Sequence, residues 1–386
     1  MKRILSGVQP TGSLHLGNYL GAIKQFVALQ DQSDTECLYC VVDLHAITAK
    51  HDPKTLRLNT RKIAAAYLAA GVDPKKSRIF VQSSVPFHTE LNWYLQAATA
   101  RVGWLDRMTQ FREKAGGSQA DLQQLIDDVQ GWINPPALTA SDRESFVSSV
   151  ERLIDAVSEK RTHREKASVG LYTYPVLQAA DILLYKATHV PVGEDQLQHI
   201  NLAGDIANKF NSDFEKVFPY PQAILSPSKR IMSLKDGTRK MSKSDRNDNT
   251  RINLDDSNDD IARKIRKAVA QTDPLPFNEN DLISPAVRNL VTIYAAFGDR
   301  TINDVLVEHG GSGFGQFKPA LIDLIISHVE PIREEIARIL ADPYELDATL
   351  VQGGQYVENI AYETCRDVRA ALGFWSPLDE YGIPHG

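Results

Sequence analysis

His15 and Asn18 follow a glycine-punctuated turn, Pro10-Thr11-Gly12, and stand where a helical pattern begins at Gly17. Glycine at 12 and 17 lets the backbone come close to an anion. The start of a helix offers free N–H groups and a positive dipole end, and His15 and Asn18 can donate further hydrogen bonds. Far along the chain, Lys240-Met241-Ser242-Lys243-Ser244 places two lysines in a loop. Both can reach a departing pyrophosphate if the loop folds over it, where closure lowers the local dielectric and strengthens each ammonium. Alone, the first segment fits an ordinary turn and the second a solvated basic loop. Together they read as the two halves of a clamp on a nucleoside triphosphate.

Two further constellations accompany the clamp. Tyr174, Gln178 and Asp181 are spaced four and three apart, so they share one helix face, and Pro175 suits a first helical turn. Their surroundings, Leu177, Ile182, Leu183 and Leu184, are apolar. A polar stripe there is costly unless its groups have partners. A satisfied core network would supply them, and so would a ligand; we favour the ligand, with Asp181 as acceptor. Val192-Gly193-Glu194-Asp195-Gln196 follows a strand-like His189-Val190-Pro191. Acids in a first helical turn complement the dipole, but an acid beyond a strand end in a nucleotide fold also binds ribose hydroxyls, and Asp195 suits that role.

These groups need a scaffold, and the first half alternates strand and helix patterns. Strands are expected over Arg3 to Gln9, Cys37 to His45 and Arg78 to Gln82, and helices over Gly17 to Gln30, Pro53 to Ala70 and His88 to Ala100. Such alternation predicts an α/β fold, a Rossmann-type parallel sheet with ligands at the carboxyl ends of its strands. Residues 115–167 interrupt it as a helical insertion: a stripe from Leu122 to Ile133 stops at Asn134-Pro135-Pro136, and Ser141 to Glu144 caps a second helix. From Asp256 to Phe374 the pattern is helical almost throughout. We therefore expect a catalytic domain over 1–255, a C-terminal all-helical domain over 256–374 and a tail over 375–386.

The 386 residues carry 43 Lys and Arg against 49 Asp and Glu, a formal net charge of -6, which neither indicates nor excludes a nucleic-acid partner. Local clustering is more informative. Lysines and arginines crowd the stretch from Lys229 to Lys267, which we read as a surface facing a polyanion rather than a solvated face. Cys37 and Cys40 make a C-x-x-C inside an apolar strand, without a second pair, so they read as core thiols and not as a zinc or redox site. We expect no signal peptide and no membrane span. The expected location is the cytoplasm.

The runs Ser6 to Gly12, His15 to Tyr19, Asp43 to Thr48, Met108 to Phe111, Gly193 to Gln196 and Lys240 to Ser244 resemble, in order and over nearly the whole chain, the tryptophanyl branch of the class I aminoacyl-tRNA synthetases. The resemblance implies a Rossmann catalytic domain, a helical anticodon-binding domain and a homodimer. It also implies formation of tryptophanyl-adenylate from L-tryptophan and ATP with Mg2+, then transfer to tRNA(Trp), with no structural zinc or iron–sulfur cluster and no DNA partner. Carried over by position, Gln9, Pro10, Thr11, Gly17, Asn18, Gly193, Glu194, Asp195, Ile231 and the loop Lys240, Met241, Ser242, Lys243 and Ser244 would contact ATP. Asp181 would read the indole nitrogen, with Gly7, Gln9, His45, Tyr174 and Gln178 nearby. His15, Asn18, Lys114, Lys240 and Lys243 would act on the phosphates, Arg112 assisting. Asn18 stands where the general class I pattern has histidine, Gln178 where many bacterial members have methionine, and Arg246 where proline commonly follows the loop. The tyrosyl branch also carries tyrosine, glutamine and aspartate on its binding helix. Gly193 to Gln196 and the glutamine–proline turn beside His15 favour tryptophan, and the intact His15, Lys240, Lys243 and Asp181 argue against a silent RNA-binding paralogue.

Overall fold

A computed structural model describes residues 1–108, 147–148, 150–151, 167–225, 230–243, 245 and 247–377. Its centre is one parallel sheet built from β1 (Lys2–Val8), β2 (Thr35–Val41), β3 (Ser77–Val81), β4 (His189–Val192) and β5 (Gln222–Leu225). The strands lie in the order β3-β2-β1-β4-β5, so the chain builds outward from β1 on one side and then on the other. The reversal falls between β1 and β4, and the crevice above it is where an open sheet of this kind takes ligands.

Alternate residues of the inner strands point to opposite faces. Ile4, Cys37, Tyr39, Val41 and Ile79 enter one apolar cluster, and Leu5, Leu38, Cys40 and Phe80 the other. Both faces are covered, which is why β2 reads as an unbroken apolar run. Cys37 and Cys40 are thus core thiols on opposite faces, and burial raises the pKa of both.

Before β4 come α1 (Leu16–Asn18), α2 (Lys24–Gln30), α3 (Asp43–Ala46), α4 (Pro53–Ala69), α5 (Phe87–Ala98), α6 (Val102–Leu105) and α7 (Val169–Leu184). After it come α8 (Leu197–Asp213), α9 (Asn258–Arg266), α10 (Pro285–Phe297), α11 (Ile302–His309), α12 (Phe314–Ala341) and α13 (Tyr344–Ala371). Three expectations are corrected. The second strand stops at Val41 instead of His45, because Asp43 turns the chain into α3 by accepting a 2.9 Å hydrogen bond from the Ser83 N–H at the end of β3. The helix at Gly17 starts one residue earlier, and a π-turn over Tyr19–Ile23 joins α1 to α2. Pro175 lies inside α7, whose first turn is set by the Ser168 hydroxyl accepting from Leu171 N at 3.1 Å.

The late helices wrap the sheet. Leu321, Ile325 and Val329 of α12 belong to the cluster that contains Ile4 and Tyr39. α13 contributes Leu346 and Leu350 to that cluster, and Val357, Ala361, Cys365 and Val368 to the one on the opposite face. It therefore crosses the edge strand β3, which shields an edge otherwise open to pairing. The approach is close: a Cβ at Gly353 would lie 1.9 Å from the Ile79 carbonyl oxygen. No helix among the described residues is long and apolar enough to cross a membrane. Val147, Ser148, Val150 and Glu151 are helical; the stripe from Leu122, the cap at Ser141 and residues 378–386 of the tail lie outside the described residues.

Candidate active site

β1 ends at Val8, and the chain turns over the carboxyl edge of the sheet toward His15. Thr11 N donates to Gln9 O at 2.9 Å, and Gly12 adopts φ +85°, a left-handed conformation that a side chain would strain. The turn is then stitched to a distant segment. Leu16 N donates to Ile252 O at 2.9 Å, and Leu254 N to Leu14 O at 2.8 Å, so His15 pairs with Asn253 in an antiparallel bridge. The His15 ring is buried, and its Nδ1 has no hydrogen-bond partner among the described residues. Burial first, then the cations Lys243, Arg251 and Lys240, lower its pKa to about 3, so the imidazole is neutral. A Cβ at Gly17 would meet that ring at 3.0 Å, which accounts for glycine there. Asn18 Oδ1 accepts from His15 N at 3.2 Å, leaving its NH2 as a donor. Gly7 is explained by packing, since a Cβ would sit 2.7 Å from Cys40 O.

The twin-lysine loop arrives at the same place. Met232 and Lys240 form an antiparallel bridge, Met241 N donates to Ile231 O at 3.1 Å, and Ser233 N to Arg239 O at 2.8 Å. Asn289 of α10 pins Met232 from both sides, accepting from its N–H and donating to its carbonyl at 2.8 Å each. The side chains of Ile231 and Met241 are core, so these two positions offer a ligand their backbone. Lys240 Nζ lies 3.2 Å from Asp195 Oδ2, and Arg230 reaches the other Asp195 oxygen at 3.6 Å. Burial raises the Asp195 pKa, but Lys240 and hydrogen bonding outweigh it and lower the group overall. A Cβ at Gly193 would approach Asp195 Oδ1 to 2.8 Å, so glycine leaves the carboxylate its position. Glu194 lies with Asp195 in a short 3-10 turn that leads into α8. Burial lowers the Lys243 pKa to about 8. Thus His15, Asn18, Lys240, Lys243, Gly193 and Asp195 are gathered at the carboxyl ends of β1 and β4. Lys114, Arg112, Ser244 and Arg246 lie outside the described residues.

Asp181 occupies a second centre, on the covered face of α7. Its Oδ1 accepts from Gln82 Nε2 and pairs with His88 Nδ1, each at 2.7 Å, and its Oδ2 pairs with His45 Nε2 at 2.8 Å. Burial pushes this carboxyl up, but the hydrogen bonds to His45 and His88 and their electrostatic attraction outweigh it and hold the pKa at about 2. The expectation that a ligand supplies the missing partners is therefore corrected: the protein supplies three. An ionised carboxylate has about four acceptor sites, and among the described residues the one left without a partner is on Oδ2, beside His45. Tyr174 is buried edge-on to the His45 ring, and its hydroxyl is 3.2 Å from His199 Nε2. Gln178 is half-buried one turn along the same helix.

Gln82, His88, Tyr185 and His199 are buried functional candidates that the sequence reading missed. None has a partner nearby in sequence, so only the packing of α5, α7, α8 and the end of β3 reveals them. The basic stretch also needs correction. Lys264 has no exposure and lies 2.6 Å from both Asp248 and Asp256, Arg251 pairs with Asp248 at 3.1 Å and Arg263 with Asp260 at 2.7 Å. Lys264 and Arg251 are held in internal pairs rather than presented to a polyanion, whereas Arg263 keeps 42% of its side chain exposed. Among the described residues, no group of three His, Cys, Asp or Glu is placed to hold a metal ion.

A family model described as tRNA synthetases class I (W and Y) matches residues 1–126 and 139–325. The tryptophan–tRNA ligase of Caulobacter vibrioides is 47% identical over 377 residues, covering 97% of this chain and 96% of its own. That of Agrobacterium fabrum is 45% identical over 393 residues, covering 96% and 98%. Among solved structures, tryptophanyl-tRNA synthetase from Mycoplasma pneumoniae superposes with a TM-score of 0.75 at 29% identity, covering 97% of this chain and 98% of that one. The Campylobacter jejuni enzyme, complexed with ADP and tryptophan, does so with 0.70 at 30% identity, covering 96% and 100%.

Proposed function

The chain belongs to the class I tRNA synthetases of the tryptophan and tyrosine family, and from that premise we propose that it joins L-tryptophan to tRNA(Trp) through a tryptophanyl-adenylate. The observation that carries this reading is convergence at the sheet's switch point: the histidine turn is bonded to residues 252–254, His15 feels the charges of Lys240 and Lys243, and Lys240 is paired with Asp195 of the Gly193–Asp195 turn. In activation, the amino-acid carboxylate attacks the α-phosphate of ATP and pyrophosphate leaves, so catalysis rests on alignment and on donors placed where charge builds.

We assign the phosphates to His15, Asn18, Lys240 and Lys243, with Gln9, Pro10, Thr11, Gly17, Ile231, Met241 and Ser242 lining the nucleotide. The unpartnered His15 Nδ1 and the desolvated Lys243 gain partners when a triphosphate binds. The Lys240–Asp195 ion pair supports an exchange: Lys240 transfers to phosphate and frees Asp195 for the ribose hydroxyls. Mg2+ would ride on the triphosphate and offset its charge. Indole would lie against Tyr174 and His45, donating to the open acceptor site of Asp181 Oδ2. Residues 1–255 would form the catalytic part, the helices over 256–374 would meet the anticodon, and the working unit would be a cytoplasmic homodimer.

Amino-acid-dependent exchange of pyrophosphate into ATP tests the assignment. Stimulation by tryptophan is expected. Stimulation by tyrosine but not tryptophan would reassign the substrate, and tRNA binding without exchange would indicate a silent RNA-binding protein.

A further inference from the structure

We infer that Gln82, His88 and, through His88, Tyr185 are specificity-determining positioning residues: they occupy both acceptor sites of Asp181 Oδ1, so the carboxylate meets the amino acid with one oriented acceptor only. This inference rests on the reading of Asp181 as the indole acceptor. Gln82 stands just beyond β3, with its amide orientation set by Oε1 accepting from Leu44 N at 3.0 Å while Nε2 donates to Asp181. The same side chain therefore ties α3, which carries His45, to the carboxylate. His88 opens α5; its Nδ1 lies 2.7 Å from Asp181, and its Nε2 lies 2.7 Å from the Tyr185 hydroxyl. With the proton on Nδ1 donated to Asp181, Nε2 accepts from Tyr185, so the tyrosine hydroxyl fixes the tautomer that the carboxylate needs.

Burial gives the arrangement a direction. Gln82, His88 and Tyr185 have no exposure, whereas Asp181 and His45 each keep 6%. The anchored side is sealed inside the protein, and the oxygen with the open site is the one beside His45. A carboxylate free to rotate could present either oxygen and serve a ligand with or without a well-placed N–H. A carboxylate clamped at Oδ1 rejects a ligand that lacks one, since the open site then stays buried and unpaired.

The experiment compares kcat/KM in pyrophosphate exchange for tryptophan and for β-(3-benzothienyl)alanine, in which sulfur replaces the indole N–H. It uses the full chain as wild type, Tyr185→Phe, Gln82→Met and Asp181→Asn, each checked by circular dichroism. The expected wild-type preference for tryptophan is large. It should fall roughly tenfold or more in Tyr185→Phe and Gln82→Met, through a higher KM for tryptophan, with kcat and the KM for ATP nearly unchanged. Tyr185→Phe removes one hydroxyl and carries the test if Gln82→Met does not fold. A preference that falls in Asp181→Asn but stays at the wild-type value in Tyr185→Phe would overturn the positioning role and leave the indole acceptor standing. A preference unchanged in Asp181→Asn would overturn the acceptor reading itself, and this inference with it.

Discussion

Lys243 shows how a single residue can be placed at a cost to stability because of what it later binds. Its pKa is lowered to about 8 by burial, below the usual lysine value near 10.5, so the unfolded chain binds its proton more tightly than the folded one. The free protein therefore carries the full penalty below pH 8 and sheds it as pH rises from 8 toward 10.5. Lys243→Met is expected to raise Tm at pH 7 by about 2 °C or more while slowing adenylate formation about 100-fold; scanning calorimetry and single-turnover activation measure the two effects. A triphosphate restores the charged form, so nucleotide binding near pH 8 should take up protons. Titrations in buffers of different ionisation enthalpy would show that uptake, and Lys243→Met should abolish it. His15 behaves differently: neutral down to about pH 3, it should contribute no inflection to activation between pH 5 and 8. That His15, Lys240 and Lys243 belong to one site was legible in sequence because type and spacing mark them, and the structure brings the three together. That Asp181 has three protein partners was not, because those partners come from three other elements.

At the scale of elements, the strand and helix patterns of the first half were readable from their periodicity, and the ends were not. β2 stops where Asp43 meets the end of β3, and α7 begins at a Ser168 cap that Pro175 obscured. Such boundaries depend on tertiary hydrogen bonds. The seat of α13 across β3 was equally hidden, since Gly353 and Gly354 inside a helical pattern look like a weakness and become meaningful only against the Ile79 backbone. Because a Cβ there would lie 1.9 Å from a carbonyl oxygen, neither side can yield without moving the helix or the strand. Gly353→Ala is expected to destabilise the fold by about 1–3 kcal/mol or more, read from urea unfolding; an unchanged midpoint would show that α13 is not seated on the edge as described.

The whole molecule is organised so that its helical half holds the strip that holds the histidine turn. Residues 252–254 pair with the backbone around His15. Lys264 of α9 clamps Asp248 and Asp256, and Arg333 of α12 donates to the Asp256 carbonyl at 2.7 Å. Removing Lys264 leaves Asp256 nearly buried with hydrogen bonds from Asn253 and no counter-ion, while Asp248 still reaches water. Lys264→Met is therefore expected to cost about 3 kcal/mol and to raise the KM for ATP more than that for tryptophan. Equal changes in the two would place the clamp outside the path to the phosphates. One triphosphate is proposed to lie between His15 and the twin lysines with indole at Asp181. A crystal structure with tryptophan and a non-hydrolysable ATP analogue tests it most directly. Lys240 and Lys243 Nζ are expected within hydrogen-bond reach of the phosphates, and the indole nitrogen on Asp181 Oδ2. Phosphates bound away from both lysines, or an indole nitrogen turned from Asp181, would contradict it.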